Sequence, residues 1–163
     1  MTAFEILKTA HIQSATILFG TGLGIAFFCW FGYRSALRSG EIAALRIVLR
    51  LTVIADAWLT APAVVFQAVS GVALMKLLGW SGTSPWSIAV WSLFVLTGIC
   101  WIPVVGIQKA LKREADEASS IDGLSREFHR RFRRWFTLGI PAFTAVVLIF
   151  YMMVAKPFAI TPA

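Results

Sequence analysis

Residues 86–108 read WSIAVWSLFVLTGICWIPVVGIQ, twenty-three residues without a charged side chain. As an α-helix such a run is about 35 Å long, enough to cross a hydrocarbon core of roughly 30 Å. Lipid offers no water to exposed N–H and C=O groups, so a spanning segment must satisfy its own backbone, which a helix does. Pro103, near the end of the run, is tolerated in a membrane helix and is placed where a kink would fall.

Three further apolar runs flank this one, at about 10–32, 47–78 and 137–157. The sequence is 58% hydrophobic and only 14% charged, with a mean hydropathy of +0.77, whereas a soluble domain carries about a quarter charged residues. Four spans and their loops use up the whole length. The chain is therefore expected to be all-α: a four-helix integral membrane bundle of up-down topology, forming one transmembrane domain over 1–163. The second run exceeds what a perpendicular span needs, so tilt or projection beyond the bilayer follows. Gly40 and the segment GWSGTSP (Gly79–Pro85) supply the turns.

The one extended polar segment is Lys109–Trp135. Its first part, KALKREADEASS, continues the third helix until Asp122-Gly123 breaks it. The following LSREFHRRFRRWF places Leu124, Phe128, Phe132 and Trp135 on one helical face. That pattern predicts an amphipathic helix lying at the membrane interface before the last span. His129 stands among five arginines there, a setting suited to anionic membrane lipids rather than to a metal.

Charge sets the orientation. Of the fifteen Lys and Arg, four follow span one and eight follow span three, against Lys8, Lys76 and Lys156 on the other side. The positive-inside rule then puts both basic loops in the cytoplasm and both termini outside, as a multi-pass protein of a bacterial inner membrane. The net charge of +7 is explained by this clustering, so no nucleic-acid partner is expected. The N-terminus has no basic n-region and no small-x-small site after the first run, so that run is expected to be retained. Cys29 and Cys100 both lie in apolar runs and read as packing residues.

Few residues offer chemistry. His11 is near the outer end of span one, with Ser14, Leu18, Gly22 and Cys29 close to its face. A neutral imidazole there suits haem iron or copper, and Gly22 would let a flat macrocycle approach the backbone; an interfacial His hydrogen-bonded to a neighbouring helix is the plainer alternative. Met75, Met152 and Met153 fall at a similar depth, so a thioether such as that of Met153 could complete such a site. Span two carries a polar stripe, Thr52, Asp56, Thr60, Ala63, Gln67 and Ser70, expected to face the interior. A carboxylate in a bilayer is expensive unless paired or neutral, so Asp56 reads either as a proton-relay group or as a helix–helix clamp. Trp91, Gly98, Trp101 and Gln108 in span three, and Trp135 and Gly139 towards span four, follow the spacing of packing seams. GTGLG (Gly20–Gly24) lies within a helix and follows no strand, so it is a close-contact motif and not a nucleotide loop. There is no Ser/His/Asp triad, phosphate loop or paired-carboxylate motif, so any enzymatic chemistry would come from a cofactor.

Four segments, HIQSATILFGTGLGIAFFCW, ADAWLTAPAVVFQAVSGVAL, WIPVVGIQKAL and RRWFTLGIPAF followed by VAKP, resemble in order the bacterial predicted integral membrane proteins of domain of unknown function 2269. That resemblance implies a four-helix fold and no activity. KTAHIQSATILFGTGL is also similar to the opening of the four-helix HemJ-type protoporphyrinogen oxidase family, which implies haem b held by His11. That family's Tyr-Leu-Pro-Arg stretch is replaced here by AFFCWFGYR (Ala26–Arg34), so the implication is confined to haem binding. Two functions remain open. One is a haem b electron-transfer protein exchanging electrons with a quinone or redox partner. The other is a cofactor-free solute or proton pathway, or an accessory subunit, around Asp56 and Gln67. Neither fixes an enzyme activity, and homo-oligomerisation is compatible with both.

Overall fold

The computed structural model describes residues 2–157, and all regular structure among them is helical. Helix α1 (Ala3–Ser39) opens on a capping box in which Thr2 and Glu5 satisfy each other's backbone N–H groups. It closes on Gly40, whose φ of 75° is the left-handed conformation that glycine adopts without strain. The chain is then helical from Ile42 to Leu77, as α2 (Ile42–Ala55), a π-turn (Asp56–Thr60) and α3 (Ala61–Leu77). In the π-turn the Ala61 N–H donates to the Asp56 carbonyl, five residues back. Pro62 accounts for the wider turn: its ring cannot donate and would collide with a carbonyl four residues earlier, and the extra residue makes room. Helix α4 (Pro85–Glu117) starts with Ser84 as cap and Pro85 in the first turn. After a short 3-10 turn (Ile121–Gly123), α5 (Arg126–Ala155) starts on the Ser125 cap and runs unbroken.

Helices α1, α4 and α5 are long and apolar enough to cross a membrane. The α2–π–α3 run is a further helical stretch carrying the second apolar segment. Outward faces are what lipid would solvate: Phe28 is 68% exposed, Trp58 78% and Val154 85%.

The tightest packing is at the basic end. Phe128 and Phe132 of α5 bury against Leu111 and Ala115 of α4, Ala36 of α1, and Leu45 and Leu49 of α2. The Tyr33 and Phe132 rings stack with centroids 3.9 Å apart. This corrects the expectation of an interfacial helix before the last span. The amphipathic stretch is the first half of α5 itself, and its apolar face, Leu124, Phe128, Phe132 and Trp135, meets protein rather than lipid. An apolar stripe looks the same whether lipid or another helix covers it; here α4 projects far enough to do so. Glu114 of α4 pairs with Arg131, and the Arg46 guanidinium donates to the Ala115 and Ala118 carbonyls, which closes the end of α4.

Phe128 should therefore carry stability and Phe28 should not. In detergent unfolding, Phe128→Ala is expected to cost about 3–5 kcal/mol, and Phe28→Ala little. Equal losses would contradict the packing described.

Candidate functional site

The polar stripe of the second run faces inward, and most of it holds α1. Thr52 Oγ1 lies 3.0 Å from Cys29 Sγ, and Ser14 Oγ donates to the Ala63 carbonyl at 3.4 Å. Gln67 Nε2 donates to the His11 carbonyl at 2.7 Å, and His11 Nδ1 lies 2.6 Å from Ser70 Oγ.

The last contact fixes the imidazole tautomer. Ser70 has one hydroxyl proton and donates it to the Phe66 carbonyl, so it accepts from His11 and Nδ1 carries the ring hydrogen. A neutral imidazole protonated at Nδ1 keeps its lone pair on Nε2, for which the described residues offer no hydrogen-bond partner. Gly71 lies beside the ring, a Cβ built there being 3.6 Å from His11 Cε1.

His11 lines a cavity of about 570 Å³, within the usual range of about 300–1,000 Å³ for small-molecule sites. It exists because α1 packs on α3 and α4 packs on α5, while α3 forms no extensive seam with α4 or α5. Its walls are almost wholly apolar, with Trp86, Trp91, Phe94 and Trp101 supplied by α4. Met75 and Met153 line it, as do the exposed cations Lys8 and Lys156. Met152 does not; its carbonyl accepts the Trp86 indole N–H at 2.8 Å and ties α5 to α4.

Gly22, expected beneath the imidazole, is not part of the cavity, and neither is Gly139. The glycines that are part of it are Gly71 and Gly98, and nothing lies within 4 Å of a Cβ built at Gly98. The position of Gly22 follows from helix periodicity alone, which cannot say where a partner helix stands.

Asp56 is not in the cavity wall either, whereas Thr60 and Gln67 are. Asp56 is 5% exposed and sits in a knot of polar groups. Trp101 Nε1 donates to its Oδ1 at 3.1 Å. With the Gln108 amide oriented to satisfy both ends, its nitrogen donates to Asp56 Oδ2 at 3.0 Å and its oxygen accepts from Trp135 Nε1 at 3.2 Å. One carboxylate thus organises side chains from the second run, α4 and α5. Sequence spacing alone reads Trp101, Gln108 and Trp135 as packing; the available signal was that a buried indole N–H needs an acceptor. At the basic end His129 Nδ1 is 2.6 Å from the Tyr33 hydroxyl, so it contacts α1 rather than facing lipid alone. Among the described residues no three His, Cys, Asp or Glu side chains cluster as a metal site.

The knot makes a sharp prediction. In Asp56→Asn one acceptor becomes a donor; Gln108 must turn to meet it, which strands the Trp135 N–H. Asp56→Asn is expected to destabilise by about 1–3 kcal/mol, the scale of a buried unpaired donor. Trp135→Phe removes that donor, so it should be less harmful when combined with Asp56→Asn than on its own in wild type. A double-mutant cycle by detergent unfolding reads the coupling, and strict additivity would refute the network.

Neither a curated protein nor a solved structure matches this chain. A family model described as "Predicted integral membrane protein (DUF2269)" matches residues 5–157, which contain all the helices above except the first two residues of α1. The chain therefore belongs to the DUF2269 family of integral membrane proteins.

Proposed function

We propose that this integral membrane protein binds haem b in the cavity beside His11 and serves electron transfer in the bacterial inner membrane. The observation that carries the reading is the Ser70–His11 contact, which leaves the Nε2 lone pair unengaged by the described residues, beside a cavity of cofactor size. Metal-bound histidines commonly have their other ring nitrogen held in this way. The rest of the lining fits the group. Aromatic walls exclude water, Gly71 and Gly98 leave room for a flat ring system, and Met153 or Met75 offers a thioether. Lys8 and Lys156 complement carboxylates. When bound, haem supplies one-electron exchange with a quinone or a partner protein.

The chain's own part is to hold and shield. Ser70 fixes the imidazole tautomer, Gln67 holds the backbone of α1 at His11, and the Trp86–Met152 bond keeps the α4 wall against α5. The alternative, a cofactor-free proton or solute pathway, has less support: Asp56 and Gln67 are both engaged in bonds between helices.

We read the four helical runs as an up-down bundle, because the links 40–41, 78–84 and 118–125 are short and short links favour antiparallel neighbours. The twelve-to-three charge bias supports a cytoplasmic basic end and termini that both lie outside.

Protein expressed with haem precursor and purified in detergent should show a Soret band that His11→Ala abolishes. No band, or a band unchanged in His11→Ala, would overturn the assignment. For topology, Ser119→Cys should react with a membrane-impermeant thiol reagent only once the cytoplasmic face is opened, the native Cys29 and Cys100 being buried. Labelling from outside in intact cells would reverse the orientation.

A further inference from the structure

Helices α1 and α5 touch at two aromatic contacts and stand apart between them. Phe19 stacks on Phe143 with ring centroids 4.8 Å apart, and Trp30 packs on Phe136 at 4.4 Å. Gly22 shares the helical face of Phe19 and Trp30, and Gly139 that of Phe136 and Phe143. Both glycines therefore face the seam between the two contacts, and nothing lies within 4 Å of a Cβ built at either. The result is an open channel, flanked by Leu23 and Phe27 of α1 and Ile140 of α5, each at least half exposed.

The basic end of the same seam carries unpaired charge. Tyr33 stacks on Phe132, and rising numbers in α1 meet falling numbers in α5, so the two helices run antiparallel. In antiparallel helices the next residue of each, Arg34 and Arg133, turns to the same side of the seam. The Arg34 guanidinium lies over the Trp30 ring, 5.6 Å from its centroid. Arg133, one turn beyond His129, acts through its charge on the Tyr33 hydroxyl, which itself lies 2.6 Å from His129 Nδ1. Arg38 extends the Arg34 flank by one turn, and Arg126 stands about one turn before His129. All four arginines are exposed, and among the described residues none pairs with a carboxylate. Arg130 and Arg131, by contrast, pair with Glu127 and Glu114.

We propose that the α1–α5 seam binds one anionic phospholipid, its phosphate held by Arg34 and Arg133 and one acyl chain lying in the channel at Gly22 and Gly139. Guanidinium forks suit phosphate oxygens, and where helices leave a bilayer the nearest source of negative charge is the lipid headgroup. Arg34 lies twelve residues from Gly22, about 18 Å along the helix. A lipid anchored at the arginines therefore has its chain alongside the glycines. Free phosphate would meet the arginines but leave the channel unfilled. A second copy of this chain would fill the channel but bring the same unpaired arginines to the seam. None of Arg34, Arg133, Gly22 and Gly139 lines the cavity beside His11, so the two sites are separate.

The test titrates the full chain, purified in a delipidating detergent, with dioleoyl phosphatidylglycerol or dioleoyl phosphatidylcholine and counts bound lipid by native mass spectrometry. One phosphatidylglycerol per chain is expected, with phosphatidylcholine held more weakly. Arg34→Gln and Arg133→Gln should each weaken phosphatidylglycerol binding about fivefold, the scale of one basic residue at an anionic lipid surface. Arg113→Gln removes the same charge from α4, away from the seam, and should change little. Gly139→Leu keeps every charge, fills the channel and should also weaken binding. Equal binding of the two lipids, or equal losses in Arg113→Gln and Arg34→Gln, would reduce the site to diffuse charge and overturn the proposal. So would full binding in Gly139→Leu, or competition by glycerophosphoglycerol, which has no tail, as strong as by the lipid. A lipid-free dimer that Gly139→Leu dissociates would give the seam to a second copy and overturn it too.

Discussion

Inside a membrane a polar group has no water to fall back on, and this constraint orders the structure around Asp56. Its carboxylate takes an indole N–H from Trp101 and an amide from Gln108, and through Gln108 it reaches Trp135. Each donor needs the acceptor as much as the acceptor needs the donors, because any one left alone would be buried unpaired. The same rule explains the rest of the inward stripe. Thr52, Ser70 and Gln67 each find a partner on α1, so the α1 seam is defined by hydrogen bonds as well as by apolar contact. Apolar side chains alone discriminate weakly between helix registers in lipid, where the surrounding chains are equally apolar.

The two ends of the molecule differ in packing. The basic end is filled by Phe128, Phe132, Leu45, Leu49 and Leu111, and is closed by the Arg46 cap and the Arg131–Glu114 pair. The other end divides into two helix pairs with the cavity between them. The Asp56 knot stands between these regions and holds the pairs together where they begin to separate. A rigid base beneath an open pocket suits a binding site, since the base fixes where the walls stand while the pocket stays free of side-chain filling.

His11 and Thr60 mark different levels of the same cavity and have opposite chemistry. His11 presents a lone pair with its ring orientation already set by Ser70, whereas Thr60 presents a hydroxyl beside the Asp56 carboxylate. In the π-turn the Asp56 carbonyl takes the Ala61 N–H, five residues on.

Residue order alone determined the helical class, the membrane setting and the inward-facing stripe. Those properties rest on the length of uncharged runs and on the 3.6-residue repeat, both of which are local. His11, Met153, Thr60 and Gln67 were also legible as residues of interest, since a polar group in an apolar run stands out whatever surrounds it. Which of them share a space was not legible. Gly22 has the helical phase of His11 but lies outside its cavity, and Asp56 shares a stripe with Thr60 yet serves a different set of partners. The amphipathic start of α5 has the same pattern whether lipid or protein covers it, and the projecting end of α4 decided for protein. Periodicity fixes a direction around one helix axis; what lies in that direction depends on the positions of the other helices, and only the tertiary structure sets those.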